Sequence, residues 1–521
     1  MAKLITGKRL AKNLIYSIAA QVLSLATSFV LNFLVPKFID EYQYAYWQVF
    51  VLYISYVGIL HFGLLDGIVL RYSQYDYEEL DKPRIRSQFQ LLLAFTSVIT
   101  FCTCAISALF MKGTYWYIVI LVAIGIITKN LFTYTSYTFQ ITNRINKYAI
   151  TVIIQRGSYA LFVIALLIFQ VNDFYWYCIA DLFGDLSAVV FGLFANKGMY
   201  FGKSLPIKET LKEAWQNVSS GVMLMVANLS SMLLTGAAKM IIQWHWDELV
   251  FGQVALSFSA TNLFLNFVTA ISVVLFPSLK RTKESELPGL YDKIRNVISP
   301  LLFFAIILYF PLCWILELWL PNYASSLSYL GILLPLIIYS SKVSLLTNNY
   351  LKAYRKERTM LVINTICVVL GIGSFALSAY VIDNLDLVLY CVVATIMLRS
   401  IVSEIAVMKL IQRNYVKDFI VELLMTIVFI AVARYLTLGW GCLVYSISLC
   451  AYFIFYRKSI AHLLKLLLGV IKRKKQLPTV QNANREQLAE TSTLVQPADN
   501  IEDEQTEASS SKEKNINQEE K

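Results

Sequence analysis

The apolar residues of this chain come in runs of about twenty with few charges inside them, and no other feature limits the fold as strongly. A helix of about 20 residues crosses the roughly 30 Å hydrocarbon core of a bilayer. Backbone groups in that core have no water to bond, so only helices and closed barrels can cross it. Barrel strands run for about 10 residues and alternate in polarity; the runs here are twice as long and do not alternate. Charge is correspondingly scarce. Asp, Glu, Lys and Arg make up 15% of the 521 residues and hydrophobic residues 57%, with a mean hydropathy of +0.59. Soluble domains carry about a quarter of their residues as charged types. The expectation is an all-α membrane protein.

Fourteen candidate spans can be drawn: 14–35, 44–69, 88–110, 116–139, 149–169, 174–195, 217–241, 249–276, 297–320, 326–347, 361–382, 385–408, 419–437 and 439–456. The loops between them sort by charge. Lys and Arg crowd the N-terminus (Lys3, Lys8, Arg9, Lys12) and every second loop, as with Arg71, Lys82, Arg84 and Arg86 after span 2 and Lys280, Arg281 and Arg295 after span 8. The intervening loops carry acids instead: Asp40, Glu41, Asp173, Asp247, Glu248, Asp383 and Asp386. By the positive-inside tendency both termini are cytoplasmic, which an even span count also requires. The net charge of +11 is therefore spread over one face of a bundle, and no nucleic-acid partner is expected. The eight cysteines lie in or beside apolar runs and read as small hydrophobes without a disulfide framework. Residues 1–12 are basic, but the run after them is full length and lacks a small-residue cleavage site, so a retained first span is expected.

The spans repeat. Asn13 and Asn217 open spans 1 and 7, 204 residues apart; Gln48 and Gln253 sit early in spans 2 and 8, 205 apart; Arg71 and Arg281 close those spans, 210 apart. "TNRINK" (142–147) after span 4 parallels "AYRKER" (353–358) after span 10, at a separation of 211. Two pseudo-symmetric six-helix lobes in parallel orientation follow, around a central cavity. The expected division is residues 1–200 (spans 1–6), 201–415 (spans 7–12), 416–456 (spans 13 and 14), 457–475 (a basic amphipathic juxtamembrane segment) and 476–521 (a polar disordered tail).

Polar groups enter the spans in a pattern. Asn13, Ser17, Gln21, Ser24, Ser28 and Asn32 step by three or four along span 1 and form one stripe. Asn228 continues the theme in span 7, with Asn217, Ser231 and Thr235, as do Asn262 and Asn266 in span 8. Such residues also serve as packing glue between helices; a stripe at the start of both halves favours a shared hydrated cavity. Charges inside spans cost about 2.5–3.5 kcal/mol each on insertion scales. The cations Lys129, Arg156, Lys342 and Arg399 are candidates to bind an anionic substrate. Asp66, Asp181, Asp185, Glu404 and the mid-span His61 are candidates for ion coupling or for pairing with those cations, as Lys129 with Asp181. Lys239 and Arg434 lie close enough to a membrane face to snorkel and are set aside. No metal site or cofactor motif is visible, and coupling to protons or sodium is the expected energy source.

The segment "HFGLLDGIVLRYSQ" (61–74) closing span 2, the Asn-led first span, "PSLKR" (277–281) after span 8 and the basic loops after spans 4 and 10 resemble bacterial polysaccharide transporters. These are the oligosaccharide flippases of the multidrug/oligosaccharidyl-lipid/polysaccharide exporter superfamily, and the resemblance covers roughly residues 10–456 by topology. It implies movement of an undecaprenyl-diphosphate-linked oligosaccharide repeat unit across the bacterial cytoplasmic membrane by alternating access, for capsule, exopolysaccharide or O-antigen synthesis. Membrane lipids and other polysaccharide assembly proteins are the implied partners. In the peptidoglycan-precursor branch arginines in the first, second and eighth spans matter; this chain has none inside span 1 or 8. A cation-coupled multidrug exporter of the same superfamily is the alternative, together with that precursor flippase. A glycan polymerase or glycosyltransferase would need a catalytic loop, whereas no Asp-x-Asp motif, phosphate loop or nucleophile elbow is present and a non-enzyme is expected.

Overall fold

A computed structural model describes residues 7–281 and 284–457, with the side chains of residues 7–15, 17, 18, 266–281 and 284 excepted. Every regular element among them is helical. Eleven helices are long and apolar enough to cross a membrane, and two bent pairs bring the number to 13. The remaining expected span, Val416–Tyr435, is a helix of 20 residues. It falls outside that set because Lys417, Asp418, Glu422 and Arg434 interrupt its apolar run. Large apolar side chains point outward along the bundle, as with Phe101, Leu109 and Phe110 of span 3 and Leu161 and Ile168 of span 5. An exposed apolar belt of this extent suits lipid and not water.

The two halves pack alike. Span 1 (Gly7–Phe29) lies on span 5 (Ile145–Ile168) as span 7 (Ile207–His245) lies on span 11 (Glu357–Ala376). The same holds for span 2 on span 4 and span 8 on span 10, for 3 on 4 and 9 on 10, for 4 on 6 and 10 on 12, and for 5 on 6 and 11 on 12. Spans 13 and 14 (Leu438–Phe455) attach to the second half, against spans 10 and 9.

Two spans are broken. Span 2 consists of Glu41–Ile54, a short 3₁₀ turn Val57–His61, and Leu64–Tyr72, with a 56° bend. Span 10 bends by 42° at Leu334 and Pro335, since proline can donate no hydrogen bond to the preceding turn. In span 2 the break is made by Phe62 (φ +49°) and Gly63 (φ +82°), both left-handed. The carbonyl of Val57, at the start of the 3₁₀ turn, accepts from the buried Asn130 side chain of span 4 at 3.2 Å. A mid-membrane backbone break is tolerated only with such partners.

Spans 3 and 9 start earlier than the hydropathy pattern indicates, at Lys82 and Leu287. Two arginines expected in loops therefore lie on helices and are buried: Arg86, 6% exposed, and Arg295, 2% exposed. They occupy equivalent places in the two halves, 209 residues apart. Arg86 donates to the carbonyls of Lys203 and Gly198. Arg295 is the hub of a largely buried ionic network, with Glu404 of span 12 at 2.5 Å and Asp418 and Glu422 of span 13 at 2.9 and 3.2 Å. Lys342 of span 10 completes it, 2.7 Å from Glu404 and 2.6 Å from Glu422. Tyr456, after span 14, donates to Asp418 at 2.5 Å. This network ties spans 13 and 14 to the second half. Removing one partner of a buried pair strands the others, at a cost of about 3–5 kcal/mol. Arg295→Met is accordingly expected to lower the unfolding temperature in detergent sharply; a near-native value would show that the network holds nothing together.

Candidate functional site

Side-chain charge in the first half gathers where spans 4, 5 and 6 meet. Asp181 and Asp185 are one helical turn apart on span 6 and share a face. Lys129 of span 4 sits between them, 2.8 Å from Asp181 and 2.9 Å from Asp185. Gln155 of span 5 donates to Asp185 at 3.2 Å. Span 5 reaches that close because Gly184 has no side chain: a Cβ there would stand 2.8 Å from the Gln155 carbonyl oxygen. Two carboxylates about one ammonium leave this group formally one negative charge in excess.

The group borders a cavity of about 390 Å³ between the halves, lined among others by Asn32, Gln48, Lys129, Arg156, Asp181 and Ser259. A second cavity of about 280 Å³ adjoins it and shares Gln48, Val51, Ser55 and Ser259. Its other walls include Tyr56, Thr235, Lys239 and Asn262. Tyr56 reaches across from span 2 onto Gly236 of span 7, whose missing Cβ would lie 1.5 Å from the tyrosine hydroxyl. Lys239 rests its ammonium 4.8 Å from the centroid of the Phe258 ring.

The cavities lie between two seals. We call the side of the bundle bearing the Lys- and Arg-rich loops the basic face and the other the acidic face. Towards the basic face, span 2 crosses span 7 at Gly63, Gly67 and Gly221. A Cβ on Gly67 would stand 1.9 Å from the Asn217 carbonyl oxygen, and one on Gly221 would stand 2.1 Å from that of Gly63. Beyond the crossing, Arg71 binds Glu213 at 2.5 Å and Gln216 at 2.9 Å, and Tyr72 donates to Glu213. Towards the acidic face, Gly252 of span 8 packs on Ala45 of span 2. There Tyr53 donates to Gln243 at 2.5 Å, Gln243 to Tyr115 at 3.3 Å, and Tyr115 to Glu248 at 3.0 Å.

The sequence-derived candidates divide on this geometry. Lys129, Arg156 and Asp181 line the first cavity and Asn262 the second; Asp185 lies directly behind them. Lys342 and Glu404, expected at a substrate or coupling site, line neither cavity; they are 1% and 0% exposed inside the Arg295 network, where each finds counter-charges. Arg399 lines neither cavity. It is held between Asn364 at 2.8 Å and Ser231 at 3.3 Å, so part of the span 7 stripe serves helix packing. Asn228 is exposed, Ser28 bonds the Ser24 carbonyl in its own helix at 2.9 Å, and Gln21 is half-buried outside both linings. The side chains of Asn13, Ser17 and Asn266 lie outside the described residues, as do residues 458–521. Asp66 and His61 sit at the break in span 2, 3.8 Å apart.

Lys239 reverses an expectation. Its position near the end of a span indicated snorkelling, yet the unusual length of span 7, which runs 39 residues, leaves it a cavity wall. Only the extra turns of that helix could have signalled this. Among the described residues Lys239 and Arg156 are cavity cations without a carboxylate within ion-pair distance, in contrast to Lys129.

Two outcomes test this arrangement. Gly221→Val is expected to pry spans 2 and 7 apart, raising amide hydrogen exchange over residues 63–72; unchanged protection would mean that the crossing tolerates a side chain. Lys129→Met is expected to destabilise by about 3–5 kcal/mol, and Asp185→Asn on that background to restore much of it. Strictly additive losses in this double-mutant cycle would argue against the coupling.

No protein-family model matches the sequence, and no curated protein is significantly similar to it. Solved structures are similar in fold. The lipid II flippase MurJ, in an inward closed conformation, aligns with a TM-score of 0.63 and 12% identity over 86% of this chain and all (100%) of that one. An inward-facing multidrug resistance MATE family transporter of the MOP superfamily aligns with a TM-score of 0.57 and 15% identity, over 75% of this chain and 94% of the other. A MATE structure in complex with MaL6 gives 0.53 and 14%, over 77% and 96%. At identities this low the likeness is one of fold, and the fold of this multi-pass membrane protein is the one that the MATE and MurJ structures share.

Proposed function

We propose that the chain is a transporter that flips an anionic, lipid-linked glycan, of the undecaprenyl-diphosphate type, between membrane leaflets. The observation that carries this reading is the pair of cations without carboxylate partners, Arg156 from the first half and Lys239 from the second, on adjoining cavities at the junction of the halves. A diphosphate offers the charge they lack, and a guanidinium suits its oxygens by geometry. Asn32, Gln48, Ser55, Ser259 and Asn262 supply hydrogen-bonding walls for sugar hydroxyls. The fold shared with a lipid II flippase supports a lipid-linked substrate.

Passage requires the halves to part at one seal and then the other. The part of span 2 towards the basic face packs mainly on span 7, and the part towards the acidic face mainly on span 8 with Tyr53 and Tyr56 on the other end of span 7, so the two seals are made by different segments of span 2. With the basic face cytoplasmic, loading takes place through the crossing of spans 2 and 7. No arginine lies within the apolar stretches 14–35 and 249–276 of spans 1 and 8, Arg9 and Arg281 standing at the basic ends of those helices, which favours a surface-polysaccharide unit over the peptidoglycan precursor.

A cation-coupled multidrug exporter is the second reading, and the excess negative charge of the Lys129, Asp181 and Asp185 group favours it. Against it, counting Arg156 and Lys239 makes the cavity walls net positive. Proteoliposomes decide between the two. Flipping of a fluorescent polyprenyl-diphosphate oligosaccharide is expected, with a loss of roughly tenfold or more in Arg156→Gln and in Lys239→Gln, since a hydrogen bond to a charged group contributes about 1.5–3 kcal/mol. Transport of a cationic dye that both variants leave intact or enhance, with no glycan flipping, would establish the exporter instead.

A further inference from the structure

The break in span 2 places an imidazole where its charge state and the backbone conformation exclude one another. His61 ends the 3₁₀ turn, and the backbone N–H of Gly63 donates to its Nδ1 at 3.0 Å. That donor is a fixed amide hydrogen, so Nδ1 must offer a lone pair and the ring is neutral with its proton on Nε2. Nε2 faces Asp66 of the following helix at 3.8 Å. Between them the chain passes through the left-handed pair Phe62 and Gly63.

Gly63 is also part of the basic-face seal. The Gly63 carbonyl oxygen is what a Cβ on Gly221 would strike, and Val222 N and Cα lie 2.7 and 2.8 Å from where a Cβ on Gly63 would stand. Any rotation of the Phe62–Gly63 backbone therefore moves the surface on which span 7 rests. The first cavity reaches the same turn: Gly58, one 3₁₀ turn before His61, lines it.

We propose that His61 is a proton-binding site whose protonation opens the seal between spans 2 and 7, which would make the proton the coupling ion. Protonation fills the Nδ1 lone pair and turns that atom into a donor. The Gly63 N–H then meets another N–H, and the bond that holds the left-handed turn is lost. The new positive charge draws the ring towards Asp66, replacing the acceptor bond by an ion pair. No other bond is made or broken, and the proton returns to water when the turn closes. The groups around this pair leave it the local titrating unit. Span 4 contributes Tyr137 near Asp66 and, on the cavity side, Lys129, which is taken up by its two carboxylates. Span 3 contributes Phe95 against Phe62, and its Arg84 faces Glu213. Span 7 contributes Glu213, which Arg71 and Tyr72 occupy.

This inference rests on the transport reading only for its purpose, so the test reads the seal and not the substrate. Amide hydrogen exchange of the full chain in nanodiscs is followed from about pH 8 to about pH 5, corrected for the intrinsic pH dependence of exchange. In the wild type, protection over residues 57–72 and 207–222 is expected to fall as pH drops. In His61→Gln, whose side-chain oxygen can still accept from Gly63 but cannot take up a proton, that fall is expected to vanish. In Asp66→Asn, which removes the ion-pair partner, its midpoint is expected to move to lower pH. A fall that persists unchanged in His61→Gln, or a midpoint unmoved in Asp66→Asn, would overturn the proposal. A His61-dependent seal in a protein that flips no glycan lipid would leave the proton site standing and remove the substrate reading alone.

Discussion

A cation deep in a membrane bundle must meet a carboxylate, a carbonyl oxygen or water, because desolvating it alone is too costly, and the manner in which each one is met organises this molecule. In the second half Arg295 and Lys342 are fully spent on Glu404, Glu422 and Asp418, and the result is a strap that holds spans 13 and 14. In the first half Lys129 is spent on Asp181 and Asp185, but at the edge of a cavity, so its neutralisation stays open to change. Arg156 and Lys239 have no carboxylate within ion-pair distance among the described residues, and each lines one of the two adjoining cavities. The cations thus differ in whether a distant helix brings them a carboxylate.

Span 2 connects that space to the outside. A continuous helix would make the two seals one rigid body. The break at residues 55–63 divides it into a part that packs mainly on span 8 and a part that packs mainly on span 7, with Asn130 donating to the Val57 carbonyl at the start of the 3₁₀ turn. Gly63, Gly67 and Gly221 then let backbone rest on backbone without side chains between. Such a contact is tight when formed and, lacking interdigitated side chains, can part cleanly.

Much of this was legible in the residues. Hydropathy marked the helices and gave a count of fourteen that the structure meets with eleven clear spans, two bent pairs and the charged helix Val416–Tyr435. The drift of matched residues at a separation of about two hundred positions corresponds to a packing pattern repeated pair for pair between the halves. The pairing of Lys129 with Asp181 is one of the two readings that charge inside the spans offers, beside a binding role. Hydropathy misleads at the helix ends: it leaves Arg86 and Arg295 in loops, and both are buried on helices. Lys239 reads as a snorkelling residue by its place near a span end, and the length of span 7 makes it a cavity wall instead. The turn at Phe62–Gly63 showed only as a glycine in an apolar run, which a continuous helix would also tolerate.

By itself, then, the sequence determined the medium, the secondary structure, the span order and the twofold repeat, since these depend on the period and length of apolar runs. Tertiary structure decided which of the buried charges are free. Lys342 and Arg399 have the same apolar surroundings in the sequence as Lys129 and Arg156, and nothing local distinguishes them. Their fates differ because Glu404, Glu422, Asn364 and Ser231 arrive from distant helices, whereas the side of Arg156 that faces the cavity receives no such partner. Neutralisation is a matter of a few ångströms between helices that are far apart along the chain, and only packing sets those distances.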